Sequence, residues 1–265
     1  MEFAKKKFGQ NFITDRNLIK KIISILDPEP NQLVIEIGPG RGALTKELVQ
    51  NFKKVVAIEI DKDMEALLKT EINSDNFELI TQDVLQVNLK ELISSEYKKI
   101  SLISNTPYYI TSEIIFRAFD LAKDLDKAVF MVQKEVAQRI CAKQNENNYN
   151  NLSVAAQFYS DVKYELTVSK NMFRPVPKVD SAVITLTFKN QNLIKVNDDK
   201  EFIAFVRKLF NNKRKTILNN LSSVLGDKTK SLTILEDLKI ATNLRPENIS
   251  LEDFIKIYKE VQNEN

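Results

Sequence analysis

Short aliphatic and β-branched runs alternate with amphipathic stretches through the first two-thirds of the chain. The runs at 32–37, 54–60, 76–81, 99–104 and 127–132 are each six or seven residues long, the length of buried strands. Between them, 43–51, 62–71 and 112–121 carry apolar residues at helical spacing. This alternation predicts βαβ units and a mostly parallel sheet, an α/β fold. After the Asn-rich stretch 144–151, a helix around 152–159 should lead into strands at 162–168 and 182–188, and no second βαβ run follows.

From residue 198 the pattern becomes helical. Phe202, Val206, Leu209 and Phe210 share one face, as do Ile217 and Leu221, and 230–238 and 251–261 read as further helices, the last with Ser250 as N-cap. The polar stretch 189–198 is the expected boundary. It divides the chain into a sheet-bearing domain over 1–190 and a small all-α domain over 198–265.

Composition then removes whole classes of chemistry. The 265 residues include no histidine and one cysteine, Cys141. There is no Ser-His-Asp triad, imidazole base or His-bearing metal site, and no metal is assigned. A lone cysteine fits a reducing, cytoplasmic setting. No apolar run approaches the roughly 18 residues of a membrane span, and the charged N-terminus lacks the apolar stretch of a secretory signal. The chain reads as a soluble intracellular protein.

The net charge of +3 is unevenly placed. Residues 1–21 carry six Lys or Arg against two acids, and 200–230 carry eight against two, which leaves the remainder net acidic. Two basic segments on an acidic body suggest a polyanionic partner.

Three of the five glycines, Gly38, Gly40 and Gly42, follow the first of those strands in Glu36-Ile37-Gly38-Pro39-Gly40-Arg41-Gly42. A tight glycine turn between strand and helix lets a ligand approach the backbone. Glu59 ends the next strand, where a carboxylate can accept two ribose hydroxyls. Gly38-x-Gly40-x-x-Ala43 also satisfies the dinucleotide fingerprint of an NAD enzyme. Glu36 and the Gly-Pro-Gly-Arg-Gly run resemble S-adenosylmethionine methyltransferases instead, so the loop alone leaves both cofactors open.

A second motif separates them. Asn105-Thr106-Pro107-Tyr108 lies at the carboxyl end of the strand at 99–104, the edge where open α/β sheets bind ligands. It matches the Asn/Asp-x-Pro-Tyr/Phe pattern of methyltransferases that act on exocyclic amino nitrogens. Adenine N6 is a poor nucleophile because its lone pair is delocalised. If the Asn105 amide oxygen and the Thr106 carbonyl accept its two N–H bonds, the lone pair is released towards a sulfonium methyl. Tyr108 can stack on the extruded base, worth about 1–3 kcal/mol. Asp83, after the third strand, can accept from the cofactor's adenine amine; a helix N-cap is its plainer role.

With these residues in place, the sequence resembles the ribosomal RNA adenine N6,N6-dimethyltransferases, specifically the bacterial small-subunit (16S) group. The resemblance runs from Lys7-Phe8-Gly9-Gln10-Asn11-Phe12-Ile13 through the motifs above, Phe173-Arg174-Pro175-Val176-Pro177-Lys178-Val179-Asp180-Ser181-Ala182-Val183, and Phe210-Asn211-Asn212-Lys213-Arg214-Lys215-Thr216. It implies a Rossmann-like seven-stranded sheet. It further implies S-adenosylmethionine contacts from Gln10, Asn11, Ile13, Gly38, Gly40, Glu59, Asp83 and Asn105. Phe173 would clamp the base opposite Tyr108, and Lys5, Lys6, Lys7, Lys213, Arg214 and Lys215 would bind RNA. The implied partner is small-subunit rRNA in a pre-30S particle, met by a monomer with no membrane association.

Two departures stand out. Thr106 replaces the family's usual Leu or Ile, and Asn-Lys-Arg-Lys-Thr replaces Gln-Arg-Arg-Lys-Thr, with the loss of one guanidinium fork. A large-subunit adenine methyltransferase of the macrolide-resistance type shares the same motifs. A non-catalytic RNA-binding assembly factor and, more distantly, an NAD oxidoreductase are the remaining readings.

Overall fold

The computed structural model describes residues 11–189 and 192–263. In chain order its elements are β1 (Phe12–Ile13), α1 (Arg16–Ile25), β2 (Gln32–Ile37), α2 (Thr45–Asn51), β3 (Lys54–Glu59), α3 (Lys62–Glu71), β4 (Phe77–Thr81), β5 (Lys99–Asn105), α4 (Thr111–Asp120) and β6 (Lys127–Gln133). They continue with α5 (Lys134–Cys141), α6 (Asn151–Tyr159), β7 (Ser160–Val168), β8 (Phe173–Arg174) and β9 (Ser181–Phe188). Four helices complete the chain: α7 (Asp199–Leu209), α8 (Ile217–Leu225), α9 (Lys228–Asp237) and α10 (Leu251–Asn263).

Seven strands form one Rossmann-like sheet in the order β4-β3-β2-β5-β6-β9-β7. The five from β4 to β6 run parallel, and β9 is antiparallel to β6. Every residue of β2 is buried, as expected of a central strand covered on both faces. The strand order reverses between β2 and β5, and their ends lie level, with Ile37 opposite Ser104. The Ser104 hydroxyl donates to the Ile37 carbonyl at 2.9 Å and closes this junction. A crevice at such a switch point is where doubly wound sheets bind ligands.

Local signals explain the helices. Asp15 caps α1 by accepting from Leu18 N at 2.7 Å, and Asp61 caps α3 by accepting from Asp63 N at 3.1 Å. Asn150 and Ser153 form a reciprocal capping box on α6, and Ser250 accepts from Asp253 N at the start of α10. The sequence pattern misses α1, α5 and the small antiparallel sheet of β1 with β8, which pairs Phe12 with Arg174 and Ile13 with Phe173.

The chain divides into two compact units, residues 11–137 with Asp161–Lys189, and Gln138–Ser160 with 192–263. The first contains the sheet and its flanking helices. The second is helical, and its core is aromatic: Phe158 packs on Phe202 with ring centroids 4.8 Å apart, and Phe202 meets Tyr258 at 5.5 Å. The Tyr159 hydroxyl donates to Asp199 at 2.8 Å. These contacts draw Gln138–Ser160 to the C-terminal helices, whereas the sequence places that segment with the sheet.

Candidate active site

At the carboxyl ends of β2 to β5 the first unit has a cavity of about 250 Å³. Its walls bring together Asn11, Ile13, Gly38, Gly40, Glu59, Asp83, Asn105, Thr106, Pro107 and Tyr108, residues drawn from nearly a hundred positions of sequence. Register explains the convergence. Glu59 pairs with Thr81, two residues before Asp83, and Gly38 and Asn105 follow the paired Ile37 and Ser104.

The glycine loop is shaped by backbone and by what packs on it. Gly38 has φ +70° and donates its N–H to Ile58 O at 3.0 Å. Gly40 has φ +55°, and a Cβ there would lie 2.9 Å from the Phe12 ring. The Arg41 guanidinium sits 4.9 Å from the Phe12 ring centroid, so the strand β1 is held against the loop.

Glu59 is fixed at both oxygens: Oε2 accepts from Gly40 N at 3.0 Å and Oε1 from Asp61 N at 2.9 Å. Burial pushes its pKa up, and those backbone donors oppose the rise. The carboxylate keeps lone pairs for further donors in the cavity. Asp83 Oδ1 accepts from Leu85 N at 2.9 Å, an Asx turn rather than a helix cap.

In the Asn-Thr-Pro-Tyr motif, Asn105 Nδ2 donates to the Asn11 carbonyl at 2.9 Å. Thr106 is 2% exposed; its N–H donates to Met131 O at 3.0 Å, while its hydroxyl is buried without a partner. The Tyr108 and Ser181 hydroxyls lie 2.9 Å apart, and burial raises the Tyr108 pKa.

Among the cavity residues outside the sequence-derived set, Glu36 and Tyr109 stand out. Glu36 is 1% exposed, and its Oε2 has no hydrogen-bond partner. Burial raises its pKa to about 8, and the charge of Glu59 adds to the rise. Its place two residues before Gly38 is the signal for it. Tyr109 lines the cavity mouth at 54% exposure, and nothing in the sequence distinguishes it from Tyr108 as a wall.

Other expected residues are placed differently. Phe173 is 1% exposed, belongs to the core cluster with Ile13, Val168 and Met131, and is not among the residues that line the cavity. In the second unit, Lys213 is half-buried, donates to Tyr149 O at 2.8 Å and lies 5.8 Å over the Phe210 ring. Arg214 and Lys215 beside it are exposed. Lys5, Lys6, Lys7 and Gln10 lie outside the described residues. Among the described residues no helix is long and apolar enough to cross a membrane.

With this geometry in place, comparison with known proteins is specific. The family model "Ribosomal RNA adenine dimethylase" matches residues 1–263. The chain is 61% identical over 263 residues to the ribosomal RNA small subunit methyltransferase A of Mesoplasma florum, covering 98% of both chains. It is 58% identical to the protein of the same name from Mycoplasma mycoides subsp. mycoides, covering 99% of both. Among solved structures, a dimethyladenosine transferase from Plasmodium falciparum superposes with TM-score 0.81 at 27% identity, covering 95% of this chain and 98% of that one. The 23S rRNA methyltransferase ErmE shares the fold at TM-score 0.71 and 23% identity, covering 95% and 100%.

Proposed function

Because the chain belongs to the ribosomal RNA adenine dimethylase family, we propose that it transfers methyl groups from S-adenosylmethionine to N6 of two adjacent adenosines near the 3′ end of small-subunit (16S) rRNA. The observation that carries this reading is the anchored amide of Asn105. Its nitrogen is engaged by Asn11 O, so its oxygen is the group left to accept from a substrate.

The cavity's own chemistry suits the cofactor. Glu59 retains acceptor capacity for two ribose hydroxyls, the orphan oxygen of Glu36 suits an ammonium group, and Asp83 suits an exocyclic amine. Gly38 and Gly40 allow close approach at the end of β2. When bound, the cofactor supplies an electrophilic methyl group on a sulfonium.

The chain's residues supply position. Asn105 Oδ1 and the Thr106 carbonyl accept the two N6–H bonds and localise the nitrogen lone pair. Tyr108 offers a ring face to the base, with its hydroxyl steadied by Ser181. Such positioning can reach effective molarities of roughly 10⁵ M or more, and the proton can leave after the methyl arrives, so no imidazole is needed. Phe173 could form a second wall only by leaving the core, at roughly 1.5–3 kcal/mol of lost burial. Exposed Arg214 and Lys215 supply phosphate contacts from the second unit, together with Lys5, Lys6 and Lys7.

We take the substrate to be a pre-30S particle met in the cytoplasm by a monomer; the lone, unpaired Cys141 agrees with a reducing compartment. The small-subunit assignment is supported by identities of 58–61% with small-subunit enzymes. The test is labelled methyl transfer onto separate undermethylated small and large subunits. Label should enter the small subunit alone. Label confined to the large subunit overturns the substrate, and failure to bind S-adenosylmethionine overturns the enzyme.

A further inference from the structure

Among the described residues six large apolar side chains are exposed: Ile60, Tyr109, Met172, Val176, Val179 and Ile194. Ile60 and Tyr109 line the cavity. Met172, Val176 and Val179, 38–49% exposed, fall within eight residues of a single loop between β7 and β9. An isolated exposed aliphatic needs no explanation, whereas three on one short loop mark a contact surface.

The loop is pinned in place. Met172 O accepts from the Thr14 N–H at 3.1 Å and the Thr14 hydroxyl at 3.2 Å. Asp180, the only acid in 169–180, accepts from Lys170 N at 3.0 Å. The Arg174 guanidinium donates to the Asn171 and Phe173 carbonyls at 3.1 and 2.8 Å. One side of the loop is bound to the cavity wall through β8 and β1, and the residue that follows it, Ser181, holds Tyr108. Three cations, Lys170, Arg174 and Lys178, are interleaved with the aliphatics, and all three are exposed.

We propose that this loop docks the nucleotides flanking the target adenosine in single-stranded RNA, with Met172, Val176 and Val179 against base faces and Lys170, Arg174 and Lys178 towards phosphates. This rests on the reading of the chain as an rRNA adenine methyltransferase. For N6 to reach Asn105 in its recess, the adenine must leave its stack, and its neighbours then present bare faces. Aliphatic side chains wedged against bases can replace the lost stacking. The interleaved cations favour a polyanion over a protein face, whose core is depleted of charge. A loop already pinned by hydrogen bonds loses little further freedom on binding.

The test compares the full-length wild type with V176S/V179S and K170A/K178A. An RNA hairpin with two adjacent loop adenosines, and 2-aminopurine beside them, serves as probe. V176S/V179S should bind it about tenfold more weakly at fixed salt, with a smaller 2-aminopurine response and unchanged S-adenosylmethionine affinity. Its salt slope should match wild type, whereas K170A/K178A should lower the slope by about 1.4. Should the double valine variant fail to fold, V176S and V179S singly carry the same expectation. Wild-type affinity and 2-aminopurine response in a folded valine variant overturn the proposal, as does loss of binding to a protein component of the small subunit but not to the hairpin. A wild type that methylates neither subunit overturns the functional reading itself.

Discussion

The side-chain nitrogen of Asn105 donates to the main-chain carbonyl of Asn11 across 2.9 Å, joining the end of β5 to the residue that precedes β1. The bond engages the amide nitrogen and leaves the amide oxygen to accept in the cavity. It also ties the N-terminal segment to the cavity wall, and the same segment carries Phe12 against Gly40.

Asn105→Ala should therefore lower kcat by about 100-fold or more while leaving RNA affinity near wild type, because it removes an acceptor used in the reaction. Asn105→Asp keeps the size but sets a carboxylate oxygen against the Asn11 carbonyl, and should weaken S-adenosylmethionine binding as well. Single-turnover methylation with separate binding titrations checks both. Turnover of Asn105→Ala near wild type would exclude the amide from the mechanism.

Thr106→Val should leave activity unchanged and stabilise the fold by about 1 kcal/mol. The hydroxyl is buried with no partner, and valine fills the same volume without a polar group to desolvate. Only the backbone carbonyl of residue 106 is assigned to chemistry. Chemical denaturation decides it; a destabilised variant would mean the hydroxyl has a partner.

Legibility in the sequence followed the range of the interaction. The pattern of buried strands gave β2 at 32–37, and α3 at 62–71 was readable from spacing. The β1–β8 pairing was not readable: it joins residues about 160 positions apart through two-residue strands too short to carry any periodicity. That Asn105, Glu59 and Gly38 gather at one cavity was legible because strand ends at a switch point converge by topology. The burial of Phe173 and the diversion of Lys213 to Tyr149 O depend on packing that residue type and spacing do not encode.

Lys213 and its neighbours should separate by salt dependence. Lys213 serves the fold through Tyr149 O, so Lys213→Ala should lower stability by about 1–2 kcal/mol with little change in salt slope. Replacing Arg214 and Lys215 together should leave stability unchanged and reduce the slope of log K against log salt by about 1.4. Equal slopes in the two variants would remove the distinction.

Glu36 sets a pH dependence. Its folded pKa, raised from 4.5 to about 8 by burial, means the folded protein keeps a proton that the unfolded chain releases between those values. The unfolded state then binds fewer protons, so this group makes stability fall as pH rises from about 4.5 to 8. In ligand-free Glu36→Gln that component should vanish, which unfolding curves at pH 5.5 and 8.5 will register. Parallel pH dependence in the two proteins would place the ionised form in the native state.

Gly40→Ala tests how the N-terminal segment and the glycine loop share space. Two separate penalties arise. At φ +55° an alanine is strained by roughly 1 kcal/mol, and its Cβ would lie 2.9 Å from the Phe12 ring. The first is intrinsic to the loop, whereas the second depends on Phe12. Gly40→Ala alone should weaken S-adenosylmethionine binding by about 100-fold, because relieving the clash displaces Phe12 and disturbs the N–H that Gly40 gives Glu59. Phe12→Leu alone should cost less, through loss of the Arg41 contact. Combined, the two should cost less than the sum of their separate effects, since a smaller side chain at 12 admits the Cβ but cannot remove the strain. Calorimetric titration of the four proteins closes this double-mutant cycle. Strict additivity would show that Phe12 yields freely and that backbone strain alone demands glycine at 40.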